Sequence, residues 1–389
     1  MTTPYRGAAS RPLVVVAVWM GSRVGHDILA GASDFGYSRG WRILRVDITA
    51  GMNAGVISQM NPSGLVVQLM SRTFVPQIRA LALPTVNVSN GIADSEFPSV
   101  VSDDRLVGRL AADYFLAKGY KHFAFCGETE LRTCALRLEG FRSTLASRSL
   151  APQVMSEGID FNRVFLSPQL FEGVRNWLLG LPKPVAIFAW SDTTAEALLE
   201  ISQQAGLRVP QDIALLGVND DYAANLTPQS AVSSIRLNAR EMGYRAARAL
   251  QRILSSRNAP SGTEHVAPIK VVERRSSEHY NVSDPSVNEA LRYIRTNLAD
   301  TLDVSELASK VGLSRRVLEK RFRAALGASP YDRILHYRIE KAKDLILSTS
   351  LKMEEIANLC GFIDGRHLSI IFRKRTGTSP SSLRSHLAI

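Results

Sequence analysis

Along the first 280 residues, short runs in which nearly every position is apolar alternate with longer stretches whose apolar positions recur every three or four residues. Leu13–Val18 (LVVVAV) is such a run, and an apolar-periodic stretch from Ile28 to Phe35 follows it. Trp41–Val46, Gly64–Gln68 and Thr85–Val88 read as further strands, with helical material between some of them. A second series then begins: a strand at Phe123–Phe125, a helix from Leu138 to Arg148, a strand at Val185–Ala189, a helix from Thr194 to Ala205 and a strand at Ile213–Val218. Strands with few polar positions, separated by helices, predict parallel sheets covered on both faces. Two such series predict an α/β domain of two doubly wound lobes. Ligands of such sheets bind outside the carboxyl ends of the strands, so the two lobes imply a cleft between them.

Around Ser276–Pro285 (SSEHYNVSDP) the alternation stops and polar residues accumulate, which marks a linker. Beyond it the pattern is helical throughout. The expected organisation is a flexible start over 1–12, a two-lobed domain over 13–276, a linker over 277–285 and an all-α domain over 286–389. That helical tail carries two related halves. In Val304–Gly327, Val304, Leu307, Ala308 and Val311 form one apolar stripe, Gly312 fits a C′ glycine, and Ser314 is an N-cap for a helix with Val317, Leu318 and Phe322 inward. In Leu351–Gly377, Ile356, Ala357 and Leu359 face inward, Gly361 makes the turn, and Asp364 caps a helix holding Leu368, Ile371 and Phe372. A short helix, a glycine turn and a second helix are the parts of a helix-turn-helix unit. The segment from Pro330 to Leu347 reads as a long helix that spaces the two units.

Charge sharpens this picture. From Pro285 to Ile389 there are 18 Lys and Arg against 11 Asp and Glu, whereas the preceding residues hold 29 against 25. A basic domain on a nearly neutral body is the electrostatic footprint of a nucleic-acid binder. The outward residues of the first unit are Arg315, Arg316, Glu319, Lys320 and Arg323. Those of the second are Gly365, Arg366, His367, Ser369, Ile370 and Arg373. Cations near the start of such helices reach guanine edges or phosphates in the major groove of double-stranded DNA.

The tail resembles the AraC-type DNA-binding domain. The residues that carry the resemblance are Leu318, Arg321, Phe322, Gly327, Ser329 and Pro330, then Arg338-Ile339, Ala342, Leu345-Ile346, Ile356-Ala357, Gly361-Phe362, Phe372-Arg373-Lys374, Gly377, Ser379-Pro380 and Leu383-Arg384. His367-Leu368 stands where that family usually has two aromatics, and Ile370 where a polar or basic residue is common. The body resembles the effector domain of LacI/GalR-type repressors, which shares its fold with periplasmic sugar-binding proteins. Val101–Phe125, Ala186–Asp192, Arg208–Asp221, Ser234-Ile235 and Gly243 carry that likeness. The chain opens directly at a strand, so its helix-turn-helix units stand at the other end from the LacI/GalR arrangement.

The combination implies a transcription regulator, expected to be an activator, that answers to a small sugar, D-xylose or a similar pentose. It also implies an operator on double-stranded DNA, contact with RNA polymerase and a homodimer. A regulator answering to another sugar or small metabolite, or acting as a repressor, is the competing reading. Neutral polyols need paired hydroxyl contacts from carboxylates, Asn and Arg, and aromatic faces against their C–H surface. At strand carboxyl ends stand Trp19, Trp190-Ser191-Asp192 and Asn219-Asp220-Asp221, while Asp103 follows Val100-Val101 and Arg137 heads the helix after Phe123. By the family pattern Asp103, Arg137, Ser191 and Asn219 fall on ligand positions, and His26 where a contact from the first lobe is expected. Asn219 stands where relatives usually carry Asp, so either it makes the hydroxyl contacts or Asp220 takes over. Several residues also have structural alternatives: the tryptophans as core, Arg137 paired with Glu139 or Glu128, Asp192 as a helix cap, Asp104 as a cap or surface residue.

Neither GxGxxG nor GxxxxGK[ST] occurs, which leaves an enzyme without a phosphate loop. Cys126, Cys134 and Cys360 form no CxxC pair and no zinc spacing, so neither metal nor cofactor is expected and the cysteines stay reduced. Leu13–Met20 is too short to span a membrane, and a cytoplasmic protein is expected.

Overall fold

The β-branched run near the start forms strand β1 over Leu13–Val18, buried at every position except the first. The structure, a computed structural model, describes residues 11–48, 54–93, 95–155, 164–221, 232–255, 262–278, 284–300, 302–349, 351–376 and 378–385. β1 runs parallel to β2 (Arg42–Asp47) on one side and β3 (Gly64–Val67) on the other, with Val15 opposite both Leu44 and Leu65. Its alternate side chains serve two cores. Val14, Val16 and Val18 pack with Ile28 and Phe35 of helix α1 (Arg23–Ser38). Val15 and Ala17 pack with Ile57 of α2 (Ala54–Gln59) and Ile78 of α3 (Val75–Ala80). Burial on both faces is why the run tolerates no polar residue. α1 begins five residues before its apolar stripe because Ser22 caps it: the Gly25 N–H donates to Ser22 Oγ at 3.2 Å.

The first sheet is completed by β4 (Thr85–Asn87) and β5 (Ser99–Ser102). The chain then crosses to a second lobe through α4 (Asp104–Ala117) and builds β6 (His122–Cys126), α5 (Arg132–Ala146), β7 (Pro152–Met155), α6 (Pro168–Gly180), β8 (Val185–Ala189), α7 (Asp192–Gln204), β9 (Ile213–Val218) and β10 (Ser233–Arg236). Here too one strand feeds two cores. Phe123 and Phe125 join the α4/α5 side, and Ala124 and Cys126 the α6/α7 side.

The two lobes are not strictly successive, as the two series of strands suggested. Helix α8 (Ala239–Ser255) and β11 (Thr263–Val266) return to the first lobe, and β12 (Lys270–Val272) pairs antiparallel with β10 in the second. The sheet orders are β11-β5-β4-β3-β1-β2 and β12-β10-β9-β8-β6-β7. β11 reads TEHV with three exposed residues, so as an edge strand it left no apolar run to detect. α8 docks on α1 backbone to backbone: a Cβ added at Gly31 would stand 1.8 Å from the Arg240 carbonyl oxygen, and one at Gly243 2.0 Å from that of Ile28.

The chain divides into two compact units, a larger one of Met1–Leu116 with Tyr120–His279 and a smaller one chiefly of Tyr280–Ile389. The larger ends on a short 3₁₀ turn, Arg275–Ser277, rather than on a loose linker. Ser276 Oγ donates to the Leu215 carbonyl (2.7 Å) and accepts the Ser233 N–H (2.8 Å), and Ser277 Oγ donates to Ser233 Oγ (2.7 Å). Polar residues that read as linker are therefore buried hydroxyls satisfying strand ends. The central part of the expected linker, 279–283, and most of the expected flexible start, 1–10, lie outside the described residues, as does Gly377.

The smaller unit is all helical: α9 (Pro285–Thr296), α10 (Val304–Lys310), α11 (Arg315–Leu326), α12 (Pro330–Ser348), α13 (Met353–Leu359), α14 (Gly365–Thr376) and α15 (Pro380–Ser385). Its two halves have separate cores. Leu307, Ala308, Leu318, Phe322 and Ile334 fill one, and Ile339, Ile356, Cys360, Leu368 and Phe372 the other, with α12 running through both. Gly312 (φ +68°) and Gly361 (φ +76°) adopt the left-handed conformation that each turn requires. The Val317 N–H donates to the cap Ser314 Oγ (3.4 Å) and the His367 N–H to Asp364 Oδ1 (2.6 Å). Two residues expected inside face out. Val317 is 39% and Leu359 45% exposed, because the inward stripes are Leu318–Phe322 and Ile356–Cys360, each four residues apart.

Candidate functional site

The larger unit places candidate residues just after β1, β3, β5, β8 and β9 and in the first two turns of α1 and α5. Trp19, exposed beyond the end of β1, donates its backbone N–H to Gln68 Oε1 just after β3 (2.9 Å). Asp103 follows β5, is half-buried, and anchors α4: its Oδ1 accepts the Leu106 N–H (2.9 Å) and its own N–H donates to the Val266 carbonyl (2.9 Å). Trp190 follows β8, and its indole Nε1–H is buried with no hydrogen-bond partner among the described residues. Asn219 follows β9 at φ 110°, half-buried, and Asp220 at φ 56°; these positive values turn the chain sharply at the strand end. His26 lies exposed on the second turn of α1.

Arg137 lies on the second turn of α5, and its partner is neither Glu139 nor Glu128. Its Nε donates to Asp104 Oδ1 at 2.9 Å, with both side chains almost wholly buried, and its Nη1 donates to the Trp190 carbonyl. Asp104, expected as a cap or surface residue, is buried and also accepts from Asn90 Nδ2 (2.7 Å). Glu139 pairs instead with Arg105 (2.7 Å). Asn90 follows β4 of the first lobe, while α4 and α5 cover the second, so the Asn90–Asp104–Arg137–Trp190 chain joins the lobes.

Ser191, Asp192 and Asp220 point into protein. Ser191 caps α7, its Oγ accepting the Thr194 N–H (3.2 Å). Asp192 is fully buried against Gly217, with its Oδ2 accepting the Asp221 N–H (2.8 Å). Burial pushes its carboxyl well above the usual range, against the opposing hydrogen bonds from Ser234 and Asp221. Asp220 accepts from three guanidinium groups: Arg23 (3.2 Å), Arg236 (2.5 Å) and Arg274 (2.5 Å). The backbone N–H of Arg23 also donates to Asp221 Oδ1 (2.7 Å), so the start of α1 is clamped to the end of β9. Burial raises the Asp221 carboxyl as well.

Asn90, Gln68, Arg236 and Arg274 carry no local signal of their roles. Arg23 did leave a signal: a cation in the first turn of a helix opposes the helix dipole unless an anion faces it.

In the smaller unit, α11 and α14 stand in the second position of each helix-turn-helix. Arg315 pairs with Glu319 (3.0 Å), leaving Arg316, Lys320 and Arg323 on the exposed face of α11. On α14, Arg366 and Arg373 are exposed. His367 is half-buried, with its ring against Phe362 at 5.7 Å and its Nδ1 accepting the Ile363 N–H at 3.5 Å. Ser369 Oγ donates to the Gly365 carbonyl (2.8 Å). Among the described residues there is no cluster suited to hold a metal ion, and no helix long and apolar enough to cross a membrane.

Comparison with known proteins agrees with both units. A periplasmic binding protein-like domain family matches residues 112–277, and a helix-turn-helix domain family residues 307–386. The xylose operon regulatory protein of Escherichia coli strain K12 is 28% identical over 331 residues, which cover 82% of this chain and 83% of that protein. Its counterpart from Haemophilus influenzae is 24% identical, covering 84% and 86%. Among solved structures, one described as the xylose-binding transcription activator superposes with a TM-score of 0.60 at 23% identity, over 97% of this chain and 99% of that one. Fold and site thus define a DNA-binding transcription regulator with a periplasmic-binding-protein-like sensor, and not an enzyme. The chain is a homologue of the xylose operon regulatory proteins across both of its domains.

Proposed function

We propose that the chain is a pentose-responsive activator, with D-xylose or a close relative as effector, acting in the cytoplasm as a homodimer on an operator in double-stranded DNA and through contact with RNA polymerase. The sensor spans 13–276 in this reading and the DNA-binding domain 286–389, with the intervening residues as connection. The observation that carries the proposal is the likeness to xylose operon regulators, which runs through sensor and tail together over 82% of the chain. Site chemistry supports it. The Trp190 indole N–H, without a partner among the described residues, the exposed Trp19 ring, His26, the second oxygen of Asp103 and the Asn219 amide offer donors, acceptors and apolar faces at the strand ends. Arg137, Ser191 and Asp192 hold the surrounding backbone in place, and Asp220 gathers the guanidinium groups of Arg23, Arg236 and Arg274. Arg316, Lys320 and Arg323 of α11, with Arg366 and Arg373 of α14, face the DNA.

Thermal denaturation of the full chain in the presence of D-xylose, L-arabinose, D-ribose and D-glucose tests the effector. A ligand that binds only the native state stabilises it by about 2.7 kcal/mol at a hundredfold excess over its Kd. D-xylose is expected to raise the midpoint most. A shift with another of the four sugars replaces the effector, and no shift with any of them removes the pentose reading.

A further inference from the structure

The two DNA-facing helices can be aligned through their caps. Counting from Ser314, positions two, six and nine residues on are Arg316, Lys320 and Arg323. Counting from Asp364, they are Arg366, Ile370 and Arg373. These offsets put each set on one face, opposite the buried pair Leu318–Phe322 in α11 and Leu368–Phe372 in α14. Arginines occupy the flanking positions of both helices. The central position is a lysine in one and an aliphatic side chain in the other.

Ile370 is 57% exposed, and Ile363, in the turn just before Asp364, is 81% exposed. A single exposed aliphatic residue is ordinary on a protein surface. This one sits between Arg366 and Arg373, with Lys374 and Arg375 exposed beyond, where the partner is a polyanion. The uncharged polar side chains beside it are already engaged within the protein: Ser369 Oγ donates to the Gly365 carbonyl, and His367 is held by Phe362 and the Ile363 N–H. Ile370 has no group for phosphate or for a base-edge donor or acceptor. The apolar feature that the major groove displays is the C5-methyl group of thymine.

Resting on the reading of the tail as a DNA-binding domain, we infer that Ile370 is a specificity-determining residue of the second unit, packing on a thymine methyl while Arg366 and Arg373 engage the flanking backbone or guanine. Lys320, at the same offset in α11, meets guanine or phosphate instead. The two halves of the operator therefore differ in kind, one read by cations alone and the other through a thymine.

The test uses the full-length chain and a duplex that it selects from randomised DNA. Each thymine of that duplex is replaced singly by deoxyuridine, which removes the methyl and leaves base pairing intact. Binding is measured for the wild type, Ile370→Ala and Ile370→Val. One thymine is expected whose replacement weakens the wild type roughly threefold to fivefold, the value of one buried methyl. Ile370→Ala should lose a similar factor on the thymine duplex and nothing further on the uracil duplex, and Ile370→Val should retain most of the discrimination. Ile370 is exposed, so its thermal midpoint serves as a folding control. Uracil tolerated at every position by a chain that still selects DNA overturns this inference and leaves the DNA-binding reading standing. So does an Ile370→Ala chain that stays as sensitive to uracil as the wild type, or that binds both duplexes like the wild type. A chain that selects no DNA overturns both.

Discussion

At the scale of single residues, Arg137 shows how a side chain can be recognised without its role being visible. A cation near the head of a helix beside a sheet's carboxyl ends is a reasonable ligand contact, and the acidic residues near it in sequence were its obvious structural partners. Its actual partner, Asp104, lies 33 positions away and is itself buried. Only the packing of α4 against α5 brings the two together. Removing one member of a buried pair leaves the other charge uncompensated, at a cost of about 3–5 kcal/mol. Arg137→Ala is therefore expected to lower the urea midpoint by a corresponding amount, and the double replacement Asp104→Asn with Arg137→Met should recover part of the loss. If the single variant keeps wild-type stability and loses only ligand affinity, Arg137 is a sugar contact and not a strut. Asp192 and Asp220 teach the same lesson. Both occupy strand ends, as read, yet both are almost wholly buried, one beneath the Asp221 N–H and the other under three guanidinium groups.

Elements were far more legible than contacts. β1, β8 and β9 coincide with their apolar runs, because a strand buried on both faces must be apolar throughout. Edge strands lack that constraint, and β11 and β12 left no trace. In the tail, caps and turn glycines located the helices, while assignment of inward faces erred by one position at Val317 and Leu359, where neighbouring apolar residues competed for the same side. The docking of α8 on α1 had no signal beyond two glycines, yet it returns the chain to the first lobe. At Gly31 an added methyl would collide with the Arg240 backbone, which cannot rotate away as a side chain could. Gly31→Ala should destabilise by about 1–3 kcal/mol or more, the range of overpacked cores, whereas Gly173→Ala, inside helix α6 with nothing within 4 Å, should lose nothing. Denaturant titration of the two variants checks this. Equal losses would mean that the helices do not cross at Gly31.

For the whole molecule, the consequence is a thermodynamic linkage. Sugar can alter DNA binding only through its different affinity for the states that bind DNA well and poorly. The sensor has a connection suited to this. Asp220 holds Arg23 of α1 in the first lobe, and also Arg274, four residues before the sensor's described end at Glu278. A change between lobes at that carboxylate thus bears on the segment leading to the tail. Titrating D-xylose with and without saturating operator should show the sugar binding tighter to the DNA complex. The factor should equal that by which sugar tightens DNA binding. Identical sugar affinities in the two titrations would remove control of DNA affinity by the sensor and leave contact with polymerase as the regulated step.

Periodicity, caps and charge distribution, all local properties of the chain, sufficed to establish two α/β lobes, a basic tail of paired helix-turn-helix units, and most of the residues at the strand ends. Burial and helix geometry act on each short segment separately, so each segment carries its own record. Tertiary structure alone decided that α8 and β11 return to the first lobe, that Asp104 and not a nearby glutamate neutralises Arg137, and that Arg23, Arg236 and Arg274 converge on Asp220. Those are pairings between residues 16 to 197 positions apart, and a charge leaves no mark in the surrounding sequence of which distant partner folding brings to it.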